Sequence, residues 1–202
     1  MTDYGIDTVI LAAGQSLRMG EDKALLKFRG RACIVHVLEK TAGISTRIII
    51  VLGNNFSLVR DFLDGTSWSS RIELVLNKNY RDGMFSSLKA GLKPCRAGNF
   101  VLVQMVDQPF LPPEIYHALV EAIDNRYLIF QPAVSVKGIV RYGHPLIIAP
   151  AFRQTVLQET RPVILRDLVR EYNMRRKTIM VENRDILLSL NRREDLHSRM
   201  GN

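Results

Sequence analysis

The run Phe100 to Val106 (FVLVQMV) is apolar apart from Gln104, and a strand without a polar face needs cover on both sides. Such a strand belongs at the centre of a mostly parallel sheet, whose crossover connections lay helices over each face. The rest of the chain supplies the partners. Thr8 to Ala13 is a first apolar run. Arg47 to Leu52 (RIIIVL) is rich in β-branched residues and stops at Gly53-Asn54, and Arg71 to Asn77 (RIELVLN) gives a third strand. Between these runs, Ala32 to Thr41 places Ile34, Val37 and Leu38 on one helical face. Phe56 to Leu63 and Met84 to Leu92 read as further helices, the second after the turn Arg81-Asp82-Gly83.

Beyond Asp107-Gln108-Pro109, the sequence Pro112-Pro113-Glu114 opens another helix, since proline is favoured in a first turn. Leu128 to Pro132 and Val134 to Val140 are expected as two strands, with a hairpin around Lys137-Gly138, and Pro145 to Ala149 as another strand. Helices are expected over Ala151 to Gln158 and Val163 to Tyr172, a strand over Thr178 to Val181, and a terminal helix from about Arg193 to Met200. This alternation predicts a three-layer α/β/α architecture around a mostly parallel sheet, as one domain over residues 1–202. Ligands of such sheets bind beyond the carboxyl ends of the strands, where Gly14, Asn77 and Asp107 all fall.

Hydrophobic residues are 47% of the chain and charged residues 24%, an ordinary balance that argues against disorder. No apolar run approaches the ~18–20 residues of a membrane span, and the acidic, glycine-containing start Met1 to Gly5 does not resemble a signal peptide. A cytoplasmic protein with no membrane partner is therefore expected. Cys33 and Cys95 lack metal-site spacing and suggest no disulfide framework. The net charge of +8 suits polyanionic small molecules. The basic residues are spread along the chain, apart from Arg175-Arg176-Lys177 and Arg192-Arg193, and no aromatic stacking motif accompanies them, so nucleic acid is not the expected partner.

The most distinctive stretch is Ile10 to Lys23 (ILAAGQSLRMGEDK), where a buried run opens into Gly14, Ser16, Arg18, Gly20 and Lys23. Glycines let backbone N–H groups approach an anion, and Arg and Lys add charge-assisted hydrogen bonds, so the stretch is suited to holding phosphate. It is not a P-loop: five residues separate Gly14 from Gly20, and Glu21-Asp22 follow. It is not a dinucleotide fingerprint either, because Ser16 stands where a second glycine is required. Asp107, at the mouth of the most apolar strand, is placed to bind a hard cation, and Ser86 and Ser87 stand where a helix begins after Gly83.

In order, these residues read LAAGxSxRMGxxK, then Asn77 to Leu88 (NKNYRDGMFSSL), Asp107-Gln108-Pro109 and Gly143-His144-Pro145. The series resembles the MobA-like nucleotidyltransferases of the molybdenum cofactor cytidylyltransferase type, over nearly the whole chain. The resemblance implies a Rossmann-like sheet of the glycosyltransferase A type and magnesium-dependent nucleotidyl transfer. Leu11, Ala12, Ala13, Gly14, Ser16, Arg18 and Lys23 would hold the nucleotide, with Arg18, Lys23 and Asp107 in catalytic roles. Asn77, Gly83, Ser86 and Ser87 would line the base pocket, and Gln108, Gly143 and His144 would face the acceptor. Ala13 points to the cytidylyl branch and so to CTP, because the guanylyl branch usually carries a second glycine there. Molybdopterin carrying molybdenum would be the acceptor, and a molybdenum hydroxylase the client enzyme of the product. His144 is not expected as a general base, because an acceptor phosphate monoester is already largely ionised near neutral pH.

The ending departs from the pattern. Relatives carry Asp-x-Asp-Thr-Pro-Glu-Asp-Leu, whose second aspartate helps hold magnesium, and here Ser189 to Leu196 (SLNRREDL) puts Asn191 in its place. Asn191 is thus expected as a weaker, uncharged partner to Asp107 in a Mg²⁺ site. Thr160 to Leu168 also lacks the glycines common in relatives. Two alternatives stay open: another nucleotidyltransferase that uses GTP or a sugar phosphate, and a carrier or insertion chaperone that binds the cofactor without turning over nucleotide.

Overall fold

A computed structural model describes residues 4–14 and 22–190. Ser16, Arg18 and Asn191, and the terminal helix expected from Arg193, lie outside the described residues. In chain order the elements begin with β1 (Ile6–Leu11), β2 (Lys27–Phe28), β3 (Arg31–Ala32), α1 (Cys33–Thr41), β4 (Arg47–Leu52), α2 (Phe56–Asp64), β5 (Ile72–Leu76) and α3 (Met84–Leu92). They continue with β6 (Phe100–Met105), α4 (Pro113–Glu121), β7 (Ile129–Val136), β8 (Ile139–Tyr142), β9 (Leu146–Ile148), α5 (Pro150–Gln158), α6 (Leu165–Glu171) and β10 (Arg176–Met180).

The main sheet has the order β10-β7-β9-β6-β1-β4-β5, with β8 paired to β7 off this path. β5, β4, β1 and β6 are mutually parallel. β9 runs antiparallel to both β6 and β7, and β10 rejoins β7 in parallel. All six residues of β1 are buried, as are five of the six of β4 and of β6. Alternate side chains feed opposite layers: Val9 and Leu11 pack with Leu88 and Leu92 of α3 and Phe152 and Val156 of α5, whereas Ile10, Ile48 and Ile50 pack with Val37 and Leu38 of α1 and Val59 of α2. Fully burying each such aliphatic side chain contributes roughly 1.5–3 kcal/mol, so the two-faced sheet is the dominant source of stability. The single polar residue in β6 is satisfied in place: Gln104 Oε1 accepts from Tyr116 Oη at 2.9 Å, and its Nε2 donates to the Met105 carbonyl at 2.7 Å. Gly91 lets α3 ride close on the sheet, because a Cβ there would lie 2.5 Å from Val9 Cγ1 and 2.6 Å from Val51 Cγ2.

The three-layer expectation holds, with local corrections. The break expected between Pro132 and Val134 does not occur, and β7 runs through it to a hairpin turn at Lys137-Gly138. Proline is tolerated there because the ladder on that side is already interrupted: β8 pairs with residues from Ala133 onward, β9 with Ile129 and Phe130, and Gly143 to Pro145 bridges the gap. The Pro132 carbonyl still accepts from the Gly143 N–H at 2.9 Å. The last strand starts at Arg176 rather than Thr178, inside the basic cluster, with the Arg176 guanidinium stacked on the Tyr142 ring at 3.6 Å. The β2–β3 hairpin, turned by Arg29 and Gly30 at positive φ, is not anticipated by the sequence reading. Among the described residues no helix is long and apolar enough to cross a membrane.

Candidate active site

The parallel ladder carries the carboxyl ends of β1, β4, β5 and β6 to one edge, and each exit is pinned by a further rung. The Ala12 N–H donates to the Val51 carbonyl at 2.9 Å, Asn77 N–H to Leu52 at 2.8 Å, and Val106 N–H to Leu11 at 3.2 Å. Gly14, Asn77 and Asp107 therefore meet at the edge the sequence assigns to them. A cleft of about 770 Å³ opens there, floored by Leu11 to Gly14 and Met105 to Asp107 and walled by Lys23, Tyr80, Arg81, Gly83, Met84 and Ser87.

Lys23 and Asp107 are far apart in sequence and paired in space, with Nζ 3.1 Å from Oδ2. Burial raises the Asp107 pKa, outweighing the opposing pull of Lys23. Its second oxygen, Oδ1, is buried and has no hydrogen-bond partner. A carboxylate oxygen without a hydrogen-bond partner, on a residue that lines a cleft, is the kind of donor a hard cation takes. Among the described residues no cluster of three or more His, Cys, Asp or Glu side chains occurs, and a lone carboxylate fits a hard divalent cation that takes its remaining ligands from water and phosphate.

Asn55 and Asp22, neither singled out in the sequence, tie the end of β1 to the segment that carries Lys23. Asn55 Nδ2 donates to the Ala12 carbonyl at 3.0 Å and to Asp22 Oδ2 at 2.8 Å, while its Oδ1 accepts from the Gly53 N–H at 3.0 Å. Asp22 Oδ1 in turn accepts from the Ala24 N–H at 2.9 Å, next to Lys23. The sequence signal was the Gly53-Asn54-Asn55 turn, which marks a strand end without saying which way the amide points. Tyr80, within the Asn77 to Leu88 motif, lays its ring over Gly53, where a Cβ would come within 2.8 Å of the ring.

The Asn77 to Leu88 segment forms a tight internal network. Asn77 is buried and donates from Nδ2 to Ser86 Oγ at 2.9 Å and Ser87 Oγ at 3.0 Å, and its Oδ1 accepts from the Asn79 N–H at 3.0 Å. Ser86 Oγ lies 2.8 Å from the Asn79 carbonyl and 2.9 Å from the Gly83 carbonyl, both acceptors. Gly83 occupies φ 93°, a conformation that suits glycine, directly before α3. Ser87 and Gly83 reach the cleft, while Asn77 and Ser86 brace the turn behind them.

Gln108, Gly143 and His144 also converge, around one carbonyl. Ile186 O accepts from the His144 N–H at 3.0 Å and from Gln108 Nε2 at 3.4 Å, and the same Nε2 donates to the Leu188 carbonyl at 2.6 Å. Leu190 N–H closes the strap by donating to the Asp107 carbonyl at 2.9 Å. Gly143 is pressed against this strap, and a Cβ there would lie 2.3 Å from Ile186 O. His144 is half-buried with its Nδ1 buried and unpartnered, and burial, aided by Arg166, pushes its pKa down to about 4.

Glycine-lined strand exits, a Lys–Asp pair and a polar-walled cleft at the carboxyl edge of a mixed but mainly parallel sheet define the class: an α/β enzyme of the nucleotidyltransferase type. The chain belongs to the MobA-like NTP transferase domain family, which matches residues 8–177. It is 30% identical to nicotine blue oxidoreductase of Paenarthrobacter nicotinovorans over 73% of this chain and 72% of that protein. It is 28% identical to a probable molybdenum cofactor guanylyltransferase of Pyrococcus horikoshii, covering 93% and 95%, and 24% identical to the molybdenum cofactor cytidylyltransferase of Escherichia coli, covering 94% and 93%. In fold it is similar to Rv0371c of Mycobacterium tuberculosis, with a TM-score of 0.80 at 20% identity over 98% of each chain. A manganese complex of the same protein superposes with a TM-score of 0.73.

Proposed function

We propose that this chain, acting as one nucleotidyltransferase domain over residues 1–202, transfers CMP from CTP to the phosphate of molybdopterin carrying molybdenum and releases pyrophosphate. The observation that carries this reading is the Lys23–Asp107 pair beside a glycine-floored cleft, with Asp107 Oδ1 unshared. An acceptor phosphate oxygen forms a bond to the α-phosphorus of CTP as the bond from that phosphorus to the β-phosphate oxygen breaks. Lys23, with Arg18 by resemblance, would neutralise the triphosphate, and Ser87 with the Gly83 turn would hold the base. Asp107, with Asn191 as its expected partner, would hold Mg²⁺, which when bound supplies charge neutralisation at the phosphates. The manganese complex of Rv0371c supports a divalent ion in this fold.

The acceptor needs no strong base, and a His144 pKa of about 4 leaves that residue a poor one. Its backbone and those of Gln108 and Gly143 instead shape the acceptor side, and the dinucleotide product would pass to a molybdenum hydroxylase. Ala13 supports cytosine by resemblance, standing among the residues that line the cleft where the guanylyl branch usually carries a second glycine. Relatives named for guanylyl and for cytidylyl transfer are both similar to the chain, so base choice is the decisive measurement. Pyrophosphate release is assayed with molybdopterin and CTP, GTP or ATP. Preference for CTP is expected, and equal or absent use of CTP overturns the base assignment. A second reading is favoured by the relative named as an oxidoreductase. Reduction of nicotine blue without pyrophosphate release from any nucleotide would replace the first reading with that one. Cofactor binding without single-turnover release would make the chain a carrier.

A further inference from the structure

Helix α1 is hydrogen-bonded to the segments that follow each member of the Lys23–Asp107 pair, at Ala24 and Leu26 on one side and at Pro109 on the other. At its start, the Cys33 N–H donates to the Leu26 carbonyl and the Ile34 N–H to the Ala24 carbonyl, each at 2.9 Å, so its first turn is tied to the segment directly after Lys23. Near its end, Lys40 Nζ donates to the Pro109 carbonyl, two residues after Asp107. A lysine in the last turn ordinarily serves its own helix's free carbonyls or solvent. Lys40 instead crosses to the turn that carries the carboxylate. A nine-residue helix is a rigid rod of ~13 Å, so anchoring both ends fixes the spacing of the two segments it joins.

We infer that Lys40 is a positioning residue, which holds the 107–109 turn against α1 so that Asp107 faces Lys23 and a divalent cation with its unshared oxygen. This rests on the reading of Asp107 as a cation ligand. The ammonium is kept at this spot against resistance. Burial is the main cause that pushes its pKa down to about 8, Arg29 and Arg31 of the β2–β3 hairpin add repulsion, and Glu39 and Cys33 of its own helix pull the other way. Cys33 at the start of α1 packs with Leu26, Phe28, Leu190 and Phe110, so an apolar cluster joins that end of the helix to the residue after Pro109, and the Lys40 bond to the Pro109 carbonyl adds a polar tie from the other end.

The experiment compares the full wild-type chain with Lys40→Met, which keeps the alkyl stem, Lys40→Arg, which keeps the charge, and Asp107→Asn as a control. Mn²⁺ is titrated by electron paramagnetic resonance in the presence of a non-hydrolysable CTP analogue, and exchange of the Leu190 amide, bonded to the Asp107 carbonyl, is followed without any ligand. Lys40→Met is expected to raise the Mn²⁺ half-saturation about tenfold, the size of effect typical of groups that orient a metal ligand, with Lys40→Arg within about threefold of wild type. Leu190 exchange should quicken in Lys40→Met and return towards wild type in Lys40→Arg. Wild-type half-saturation and exchange in Lys40→Met overturn the inference, as does a Lys40→Arg no better than Lys40→Met. If Asp107→Asn also leaves Mn²⁺ binding unchanged, the ligand reading falls with it. If Asp107→Asn weakens binding and Lys40→Met does not, the role of Lys40 alone falls.

Discussion

Replacing Gly143 by Ala is the most direct perturbation of the strap that joins the two halves of the site. The glycine is not required by backbone conformation, since its φ lies outside the left-handed region; space alone requires it. An added Cβ meets the Ile186 carbonyl oxygen at 2.3 Å and its carbon at 2.7 Å, and both are backbone atoms that cannot swing aside. Accommodating it means moving the strap by about an ångström, a strain of the overpacking kind worth about 1–3 kcal/mol. The displaced Ile186 carbonyl is the acceptor for the His144 N–H and Gln108 Nε2, and weakening these two bonds adds about 1 kcal/mol each. Together these make a loss of about 3–5 kcal/mol, or a fall in Tm of about 6–20 °C for a chain of this size. Calorimetry and urea titration would read it against Gly98→Ala, a glycine with open space around it. That control is expected within about 1 kcal/mol of wild type. A Gly143→Ala protein as stable as the Gly98→Ala control would refute the claim that the strap is held against Gly143.

The half-buried His144, whose Nδ1 is out of reach of solvent, makes a signed prediction for pH. Its folded pKa of about 4 lies below the ordinary 6.5, so the unfolded chain binds the proton more tightly. Stability from this residue is complete above pH 6.5 and is lost as pH falls towards 4, by up to about 3 kcal/mol. His144→Gln should flatten this part of the urea-midpoint profile, and an unchanged slope would show that His144 is not held neutral. Asn77→Ala removes two donated hydrogen bonds and one accepted bond behind the Gly83 turn. It should cost about 2–3 kcal/mol in thermal unfolding and raise the nucleotide KM more than it lowers kcat; a KM unchanged from wild type would remove its bracing role.

What the sequence made legible follows from periodicity. Arg47 to Leu52 and Met84 to Leu92 match the observed β4 and α3 residue for residue, because long apolar runs and a helical stripe leave one solution for burial. The two-residue strands β2 and β3 carry too few positions for any period to show, and Pro132 reads as a strand break unless the gap in the opposite strand is known. At the site, residue type and order were enough to place Gly14, Asp107 and Ser87 at one cleft. They were not enough to give the direction of an amide. The buried Asn77 side-chain amide bonds within its own turn, and Asn55, which the sequence does not single out, ties Ala12 to Asp22. The strap from Ile186 to Leu190 escaped notice because it works through backbone carbonyls and N–H groups, which every sequence possesses.

Gly91 lies one helical turn below Ser87 on the same side of α3, pressed between Val9 and Val51. The depth at which Ser87 sits in the cleft is therefore set from underneath, by the absence of one methyl group in the core. A side chain at position 91 would act as a shim, lifting the whole helix and with it the Ser87 wall of the cleft, without touching a single residue of the cleft. In this architecture the bore of the binding site is a packing quantity, adjustable from the interior of the protein.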